Sequence, residues 1–396
     1  LEHYLVDLSL IMYDKQTIML PGPVTIHPRV LSAMSKPMIN HRGEEFGQIY
    51  DYCVKNLRDI FRTKNDLFIL TGSGTCAMEA ALGNLLNGND KILVITNGKF
   101  GERFKELGER YGELVSLEYE WGKSIDLEDV KAKIDEGDVK AVTLVHNETS
   151  TGIINPAPEI GKLAKEKGAL FIMDGVSSIG GNDVYVDDWD VDIAVFGSQK
   201  CLAAPPGLSA ISIGKKAWEF IEDCKNRPYY TDLLKYRESA SKKPPQTPYT
   251  PAVSLFFALE EAIKIFLEEG IEENIERHRK YSDAIRVAIM EMRLTMFPQL
   301  NGHSHYSNTV NAINLPEGIK EAEVKKKMQE KGIIISGGQG RLKDKIFRIG
   351  TMGYLSPEDM VNAVSALELV LKDLKYDVDV GRAVEKADDI LFGGLQ

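Results

Sequence analysis

Short runs of apolar residues, alternating with segments of helical pattern, constrain the fold of this chain more than any other feature. The runs are Leu67–Leu70, Ile92–Thr96, Ala141–Val145, Leu170–Met173, Ile193–Phe196 and Ala210–Ile213. They are rich in Ile, Val, Leu and Phe and show little polar alternation. That pattern marks strands buried on both faces, as in a mostly parallel sheet covered by helices. Thr75–Leu86, Glu102–Tyr111 and Ile160–Lys167 read as helices, the first closed by Asn87-Gly88 and the last by Gly168 as a C-cap. The fold class expected is therefore α/β, three layers in the order α/β/α. A chain of 396 residues, 43% of them hydrophobic, is long enough for one large core and a second, smaller one.

The pattern changes at Tyr229–Pro251, where Pro244, Pro245, Pro248 and Pro251 fall among Lys, Ser and Thr. This stretch reads as an irregular, extended excursion. A helix follows, with Leu255, Leu259, Ile263 and Phe266 on one face and Gly270 at its end, and a second continues through Ile275, Tyr281 and Ile285. After about Met292 the chain restarts as a smaller α+β unit. Val310–Leu315, Ile333–Ile335 and Ile346–Ile349 look like strands. Ser356-Pro357-Glu358 opens a helix, with Ser as N-cap and Pro at the first helical position.

Charge narrows the function classes. The net charge is −11, and an acidic surface repels phosphate backbones and anionic lipid heads, so nucleic acid and membranes are not expected partners. No apolar run approaches the roughly 18 residues that span a bilayer. Leu1 to Thr17 carries Glu2, Asp7 and Asp14 without the basic start of a secretory signal. Cys53, Cys76, Cys201 and Cys224 have no CxxC or regular spacing, as expected of free thiols in a reducing cytoplasm. His303 and His305 have no third ligand near them in sequence, so no metal site is expected.

Three strand ends carry the chemistry. Thr71-Gly72-Ser73-Gly74-Thr75 lies between a strand and a helix, where small residues and unpaired N–H groups admit a phosphate. With Ala77 it also matches GxGxxA, but the next strand ends Ile95-Thr96-Asn97-Gly98, without the acid a dinucleotide's ribose needs. Asp174 closes the run Leu170–Met173, at the sheet edge where α/β folds bind ligands. Gly197-Ser198-Gln199-Lys200 follows the run Ile193–Phe196. Each alone has a bland reading: a Gly-rich turn, a capping Asp, an exposed Lys. Together, in this order, they meet the demands of pyridoxal 5′-phosphate. Its phosphate needs a helix N-terminus, its ring nitrogen an acid that keeps it protonated, and its aldehyde a lysine amine.

At this point the chain resembles the fold-type I aminotransferases of class V, and most the alanine–glyoxylate/serine–pyruvate aminotransferase branch. The resemblance rests on Pro21-Gly22-Pro23, Gly72 to Ala80, Asn97 to Gly101, His146 to Gly152, Asp174 to Ser178, Gly197 to Lys200, Pro205-Pro206-Gly207 and Phe347 to Gly350, in family order. It implies an N-terminal arm (1–23) packing with the small domain, a large cofactor-binding domain (24–290) and a small C-terminal domain (291–396). It also implies roles. Lys200 and Asp174 are catalytic. Ser73, Gly74 and Thr75 hold the phosphate, Phe100 and Val176 pack on opposite ring faces, and Thr149 or Ser150 lies near the phenolic oxygen. Gln199 bonds a cofactor oxygen. Thr247, Tyr249 or Thr250 reaches the neighbouring subunit's phosphate in a homodimer whose active site lies at the interface. The family's Tyr and Thr spaced three apart are replaced here by Gln246-Thr247-Pro248-Tyr249-Thr250, so the contacting hydroxyl stays open.

Arg348 falls on a short strand with Ile346 on its own side and Phe347 and Ile349 on the other. Its guanidinium suits the α-carboxylate of an amino acid, with Gly22 and the Gly337–Gly340 loop lining the same pocket. Arg42 reads equally as a residue of the substrate mouth or of a loop. The function expected is transamination of a small amino acid, alanine or serine, with a 2-oxo acid, glyoxylate or pyruvate. The alternative is a cysteine desulfurase-like or other class V lyase. Against that stand Gln199, where a His usually precedes the Lys, and the lack of any Cys after residue 224.

Overall fold

The structure, a computed structural model, describes residues 16–393. Part of the expected N-terminal arm, residues 1–15, lies outside the described residues. Seven strands form the central sheet: β1 (Asp66–Thr71), β2 (Lys91–Thr96), β3 (Glu113–Glu118), β4 (Val139–Val145), β5 (Leu170–Asp174), β6 (Ile193–Gly197) and β7 (Leu208–Ile213). Their order is β1-β7-β6-β5-β4-β2-β3. All neighbours pair in parallel except around β7, which is antiparallel to both β1 and β6.

The strand residues divide between two cores by simple alternation. Leu67, Leu93, Val142, Phe171 and Ala194 face one core, with the helix α3 (Val253–Glu269). Phe68, Ile92, Ala141, Leu170 and Ile193 face the other, with α1 (Gly74–Leu85). Both faces are covered, which is why the runs are continuously apolar. Each fully buried Leu, Ile or Phe contributes about 1.5–3 kcal/mol.

Among the elements that the sequence reading did not mark are one strand of the central sheet and one helix of the Pro-rich stretch. β3 is an edge strand bounded by Glu113 and Glu118 with half-buried residues between, so its pattern carries no apolar run. Within Tyr229–Pro251, Leu233–Ala240 is a helix. Asp232 caps it by accepting from Leu234 N, and Leu233 and Tyr236 are buried beneath it. The prolines lie outside these eight residues and so do not oppose the helix.

The C-terminal part has its own sheet, β8 (Val310–Asn314), β9 (Ser336–Gly337) and β10 (Ile346–Gly350), in the antiparallel order β8-β10-β9. The long helix α4 (Ile271–Glu291) delivers Tyr281, Ile285 and Ile289 to its core, so the change of core falls inside α4, before residue 290. The helix α5 (Pro357–Asp373) closes this unit and starts with a capping box between Ser356 and Asp359. Ile333–Ile334 pairs not with that sheet but in parallel with Thr17–Ile18. Met19, fully buried, joins the same core as Ile333 and Ile349. Among the described residues, no helix is long and apolar enough to cross a membrane.

Gly350 is where this segment locks onto β10. Its N–H donates to Met19 O at 2.8 Å, and a Cβ there would collide with the backbone carbonyl of Leu20. Because the obstacle is backbone, Gly350→Ala is expected to lower stability by about 1–3 kcal/mol. Thermal unfolding checks this; an unchanged midpoint would mean that the segment from Thr17 to Leu20 yields at no cost.

Candidate active site

Parallel pairing brings three strand ends level. Val145 of β4 lies opposite Asp174 of β5, which lies opposite Val195 of β6. Beyond β6, a tight loop holds Lys200. Ser198 Oγ donates to Pro205 O at 2.6 Å, Ala203 N donates to Lys200 O at 2.9 Å, and Ala203 takes a left-handed backbone (φ 51°). The Lys200 side chain is buried and its Nζ donates to Pro21 O. Gly22, at φ 100°, gives that side chain room: a Cβ there would sit 2.7 Å from Lys200 Cδ and 2.8 Å from Nζ. Burial pushes the Lys200 amine down to about 8, against the pull of Cys201 and Asp174.

Asp174 is also buried, and its Oδ1 accepts from Val176 N at 2.7 Å. Burial pushes its carboxyl up to about 6; the Val176 bond, Arg103 and Lys200 oppose the shift, and Glu148 adds to it. Val176 packs on the start of α1, where only a glycine fits: a Cβ on Gly74 would lie 2.6 Å from Val176 Cγ2. Ser73 holds the cap position of α1 in extended backbone, yet its hydroxyl makes no bond to the helix. The Thr75 hydroxyl accepts from Arg103 Nη1 at 3.1 Å, which leaves its own proton to donate.

Phe100 lies in the first turn of α2 (Lys99–Tyr111), with the Arg103 guanidinium 4.7 Å from its ring centre. Ser150 Oγ donates to Glu148 Oε1 at 2.6 Å and accepts from Lys99 N at 2.9 Å. Thr149 holds Arg348 through its carbonyl, and its hydroxyl makes no hydrogen bond among the described residues. Of the two, Thr149 therefore has the hydroxyl left for a ligand. Arg348 is buried on β10, donating from Nε to Gly337 O at 3.0 Å and from Nη1 to Thr149 O at 2.8 Å. Burial pushes it down to about 10, and Glu148 and Glu321 favour its charged form. Its Nη2 makes no hydrogen bond among the described residues.

The Pro-rich stretch stands apart. Thr247 Oγ1 donates to Tyr249 O at 2.7 Å, and the Tyr249 hydroxyl donates to Tyr229 O at 2.7 Å. Thr250 is exposed. None of the three bonds a residue of the Lys200 pocket. Arg42 serves this loop, donating to Gln246 Oε1 at 2.8 Å and to the carbonyls of Thr247 and Pro248. Among the described residues, no group of His, Cys, Asp and Glu forms a metal cluster.

Sequence reasoning gave no part to Glu148, Arg103, Glu321 or Pro21. Glu321 is buried and accepts from Gly338 N and Asp344 N, which fixes the loop whose Gly337 carbonyl holds Arg348. Glu148 and Pro21 had a signal, their places in the Glu-Thr-Ser-Thr-Gly run and in Pro21-Gly22-Pro23; Arg103 and Glu321 had none.

The pocket fits pyridoxal phosphate by its own evidence. Gln199 Oε1 is buried without a partner among the described residues, and Ser73 keeps a free hydroxyl at a helix start. A lysine amine and a carboxylate share one edge of the sheet. The family model described as Aminotransferase class-V matches residues 29–352. An uncharacterized aminotransferase of Methanocaldococcus jannaschii is 43% identical, over 96% of this chain and 98% of its own. The crystal structure of ureidoglycine-glyoxylate aminotransferase from Bacillus subtilis superposes with a TM-score of 0.89, is 35% identical, and covers 95% of this chain and 97% of its own. Alanine–glyoxylate aminotransferase of Rattus norvegicus is 33% identical, over 89% of this chain and 86% of its own.

The low Lys200 value has a kinetic consequence. Only the neutral amine attacks an aldehyde, so a depressed value makes the reactive form abundant at lower pH. Mixing cofactor-free protein with pyridoxal phosphate should give a visible band whose rate of appearance rises with pH and levels off just above about 8. A rate still climbing at the ordinary lysine value would mean that burial does not tune this amine.

Proposed function

The chain belongs to the class-V aminotransferases, and from that premise we propose that it transfers the amino group of a small amino acid, alanine or serine, to glyoxylate or pyruvate. The observation that carries this reading is Arg348, a buried guanidinium held by two carbonyls with Nη2 uncommitted among the described residues. That geometry suits an α-carboxylate. Other guanidinium groups nearby are engaged: Arg103 with Thr75 and Phe100, and Arg341 with Glu102 beside Trp121. This supports a substrate without a second carboxylate. The alanine–glyoxylate relatives support the same choice.

Pyridoxal phosphate, when bound, supplies an aldehyde for the amine and a ring that takes up the electron pair left on Cα. The protein's residues do the rest. Ser73, Gly74, Thr75 and Gln199 would hold the phosphate end, and Phe100 and Val176 the ring faces. Asp174 would hold the proton on the ring nitrogen. That cationic N–H would in turn favour the charged carboxylate that burial alone disfavours. Lys200 Nζ, buried and easily neutral, moves the proton off the substrate Cα as base and delivers it as acid. Arg348 holds the carboxylate and so fixes which Cα bond faces Lys200. The cysteine desulfurase-like alternative has no ready thiol nucleophile, since Cys53, Cys201 and Cys224 are buried and burial pushes the thiols of Cys76 and Cys201 up to about 11 and about 12.

We also propose a homodimer in the cytoplasm, with the active site at the subunit interface. Exposed Tyr229, Tyr230 and Thr250 support it, since Tyr229 and Tyr230 gather with Tyr249 into one aromatic surface beside the loop. Sedimentation equilibrium should return twice the 44.1 kDa chain mass; a monomer that turns over would end the shared-site proposal. For the substrate, amino acids are added singly to the cofactor-loaded enzyme and loss of the visible band is followed. Alanine or serine should act at least about tenfold faster than aspartate, a difference of about 1.4 kcal/mol. A faster reaction with aspartate would overturn the assignment of the donor.

A further inference from the structure

Glu148 is fully buried, and its carboxylate meets no cation within salt-bridge distance among the described residues. It is satisfied instead by four donors. Oε2 accepts from Phe100 N at 2.9 Å and Gly101 N at 3.0 Å, and Oε1 accepts from Ser150 N at 3.1 Å and Ser150 Oγ at 2.6 Å. Phe100 and Gly101 belong to the first turn of α2, whose cap residue Gly98 offers no side chain of its own. A Cβ on Gly98 would collide with the Glu148 side chain, so the helix start is shaped to receive a carboxylate from elsewhere in the chain. A negative group at a helix N-terminus is the favoured electrostatic arrangement there.

The next peptide has a second attachment. The carbonyl of Thr149 accepts from Arg348 Nη1 at 2.8 Å. Two adjacent residues therefore hold, on one side, the turn that carries Phe100 and, on the other, the guanidinium of Arg348. We propose that Glu148 is the positioning residue that sets the ring of Phe100 relative to Arg348, and with it the cofactor face relative to the substrate carboxylate. The proposal rests on the roles given above to Phe100 and Arg348. Glu148 touches neither substrate nor cofactor; it acts through the first turn of α2 and the Thr149 peptide. An ordinary helix cap would influence stability alone. A positioning residue must also influence how the cofactor sits and how tightly both substrates are held, because small misplacements of reacting groups are costly.

The test uses the cofactor-loaded enzyme with Glu148→Asp and Glu148→Gln. Asp keeps the charge but is one methylene short of Phe100 and Gly101. Gln keeps the full reach and an oxygen for those two N–H groups, and loses only the acceptor opposite Ser150 N. E148D should shift the visible band of the bound cofactor, weaken cofactor affinity, and raise KM for amino donor and 2-oxo acid together by about tenfold. E148Q should stay within about threefold of the parent enzyme on each reading, on the same scale. The proposal is overturned if E148D keeps the parent band, cofactor affinity and both KM values, or if E148D and E148Q differ from the parent only in melting temperature. Phe100→Ala and Arg348→Ala separate the two levels of the argument. If F100A keeps cofactor affinity, or R348A keeps both KM values, the underlying assignment of the site fails and the proposal with it. If both lose as expected while E148D does not, Glu148 alone is wrongly placed.

Discussion

The parallel register of β4, β5 and β6 is the constraint on which the site depends. Val145, Asp174 and Val195 stand side by side across these strands. All three chains leave the sheet at the same edge, one toward Glu148, one at Asp174 itself and one toward Lys200. The antiparallel return of β7 then pins the Lys200 loop from behind, with Gly197 opposite Ser209. Side chains alternate along a strand, so a slip of one residue in β5 would turn Asp174 to the other face of the sheet. The register is protected because Phe171 and Met173 fill one core while Leu170 and Ile172 fill the other. The packing of ordinary apolar residues is thus what aims the carboxylate.

That edge gathers ionisable groups largely shielded from water. Burial moves Lys200 and Arg348 down and Asp174 and Glu148 up, each toward its neutral form. Isolated buried charges are costly, and a fold keeps them only where partners arrive or function requires them. Glu148 has its partners already, in four N–H and O–H donors. Asp174 has one backbone donor, and Gln199 Oε1 has none among the described residues. Of these three, Asp174 and Gln199 are assigned to the cofactor, and the fully supplied Glu148 to positioning.

The fold was legible wherever burial was two-sided. Each central strand announced itself as an apolar run, and Asp174 and Lys200 were visible because polar residues at the ends of such runs are conspicuous. The edge strand β3 was not legible, since its residues are only half-buried, whereas β1 at the opposite edge is buried from Leu67 to Leu70 and kept its apolar run. The helix Leu233–Ala240 was masked by the prolines that flank it, although its Asp232 cap was in plain sight. The contacts of Glu148, Arg103 and Glu321 were invisible for a different reason. Their partners, Phe100, Thr75 and Gly338, are distant in sequence and meet them only through the tertiary fold. Local patterning carries no information about such pairs.

One strand of the small unit governs both ends of the reaction space. β10 presents Arg348 to the pocket, and two residues later the Gly350 N–H holds Met19 O. Met19 is sealed into the small unit's core. Pro21, just beyond, accepts from the Lys200 amine, and Gly22 lies against its side chain. The guanidinium proposed to bind the substrate carboxylate and the carbonyl that steadies the lysine are therefore fixed to the same strand. A shift of β10 against the large sheet would move both together, so their separation is set within the small unit. Their distance to Asp174 is set separately, by the contacts that cross to the large unit: Thr149 O on Arg348 and Pro21 O on Lys200.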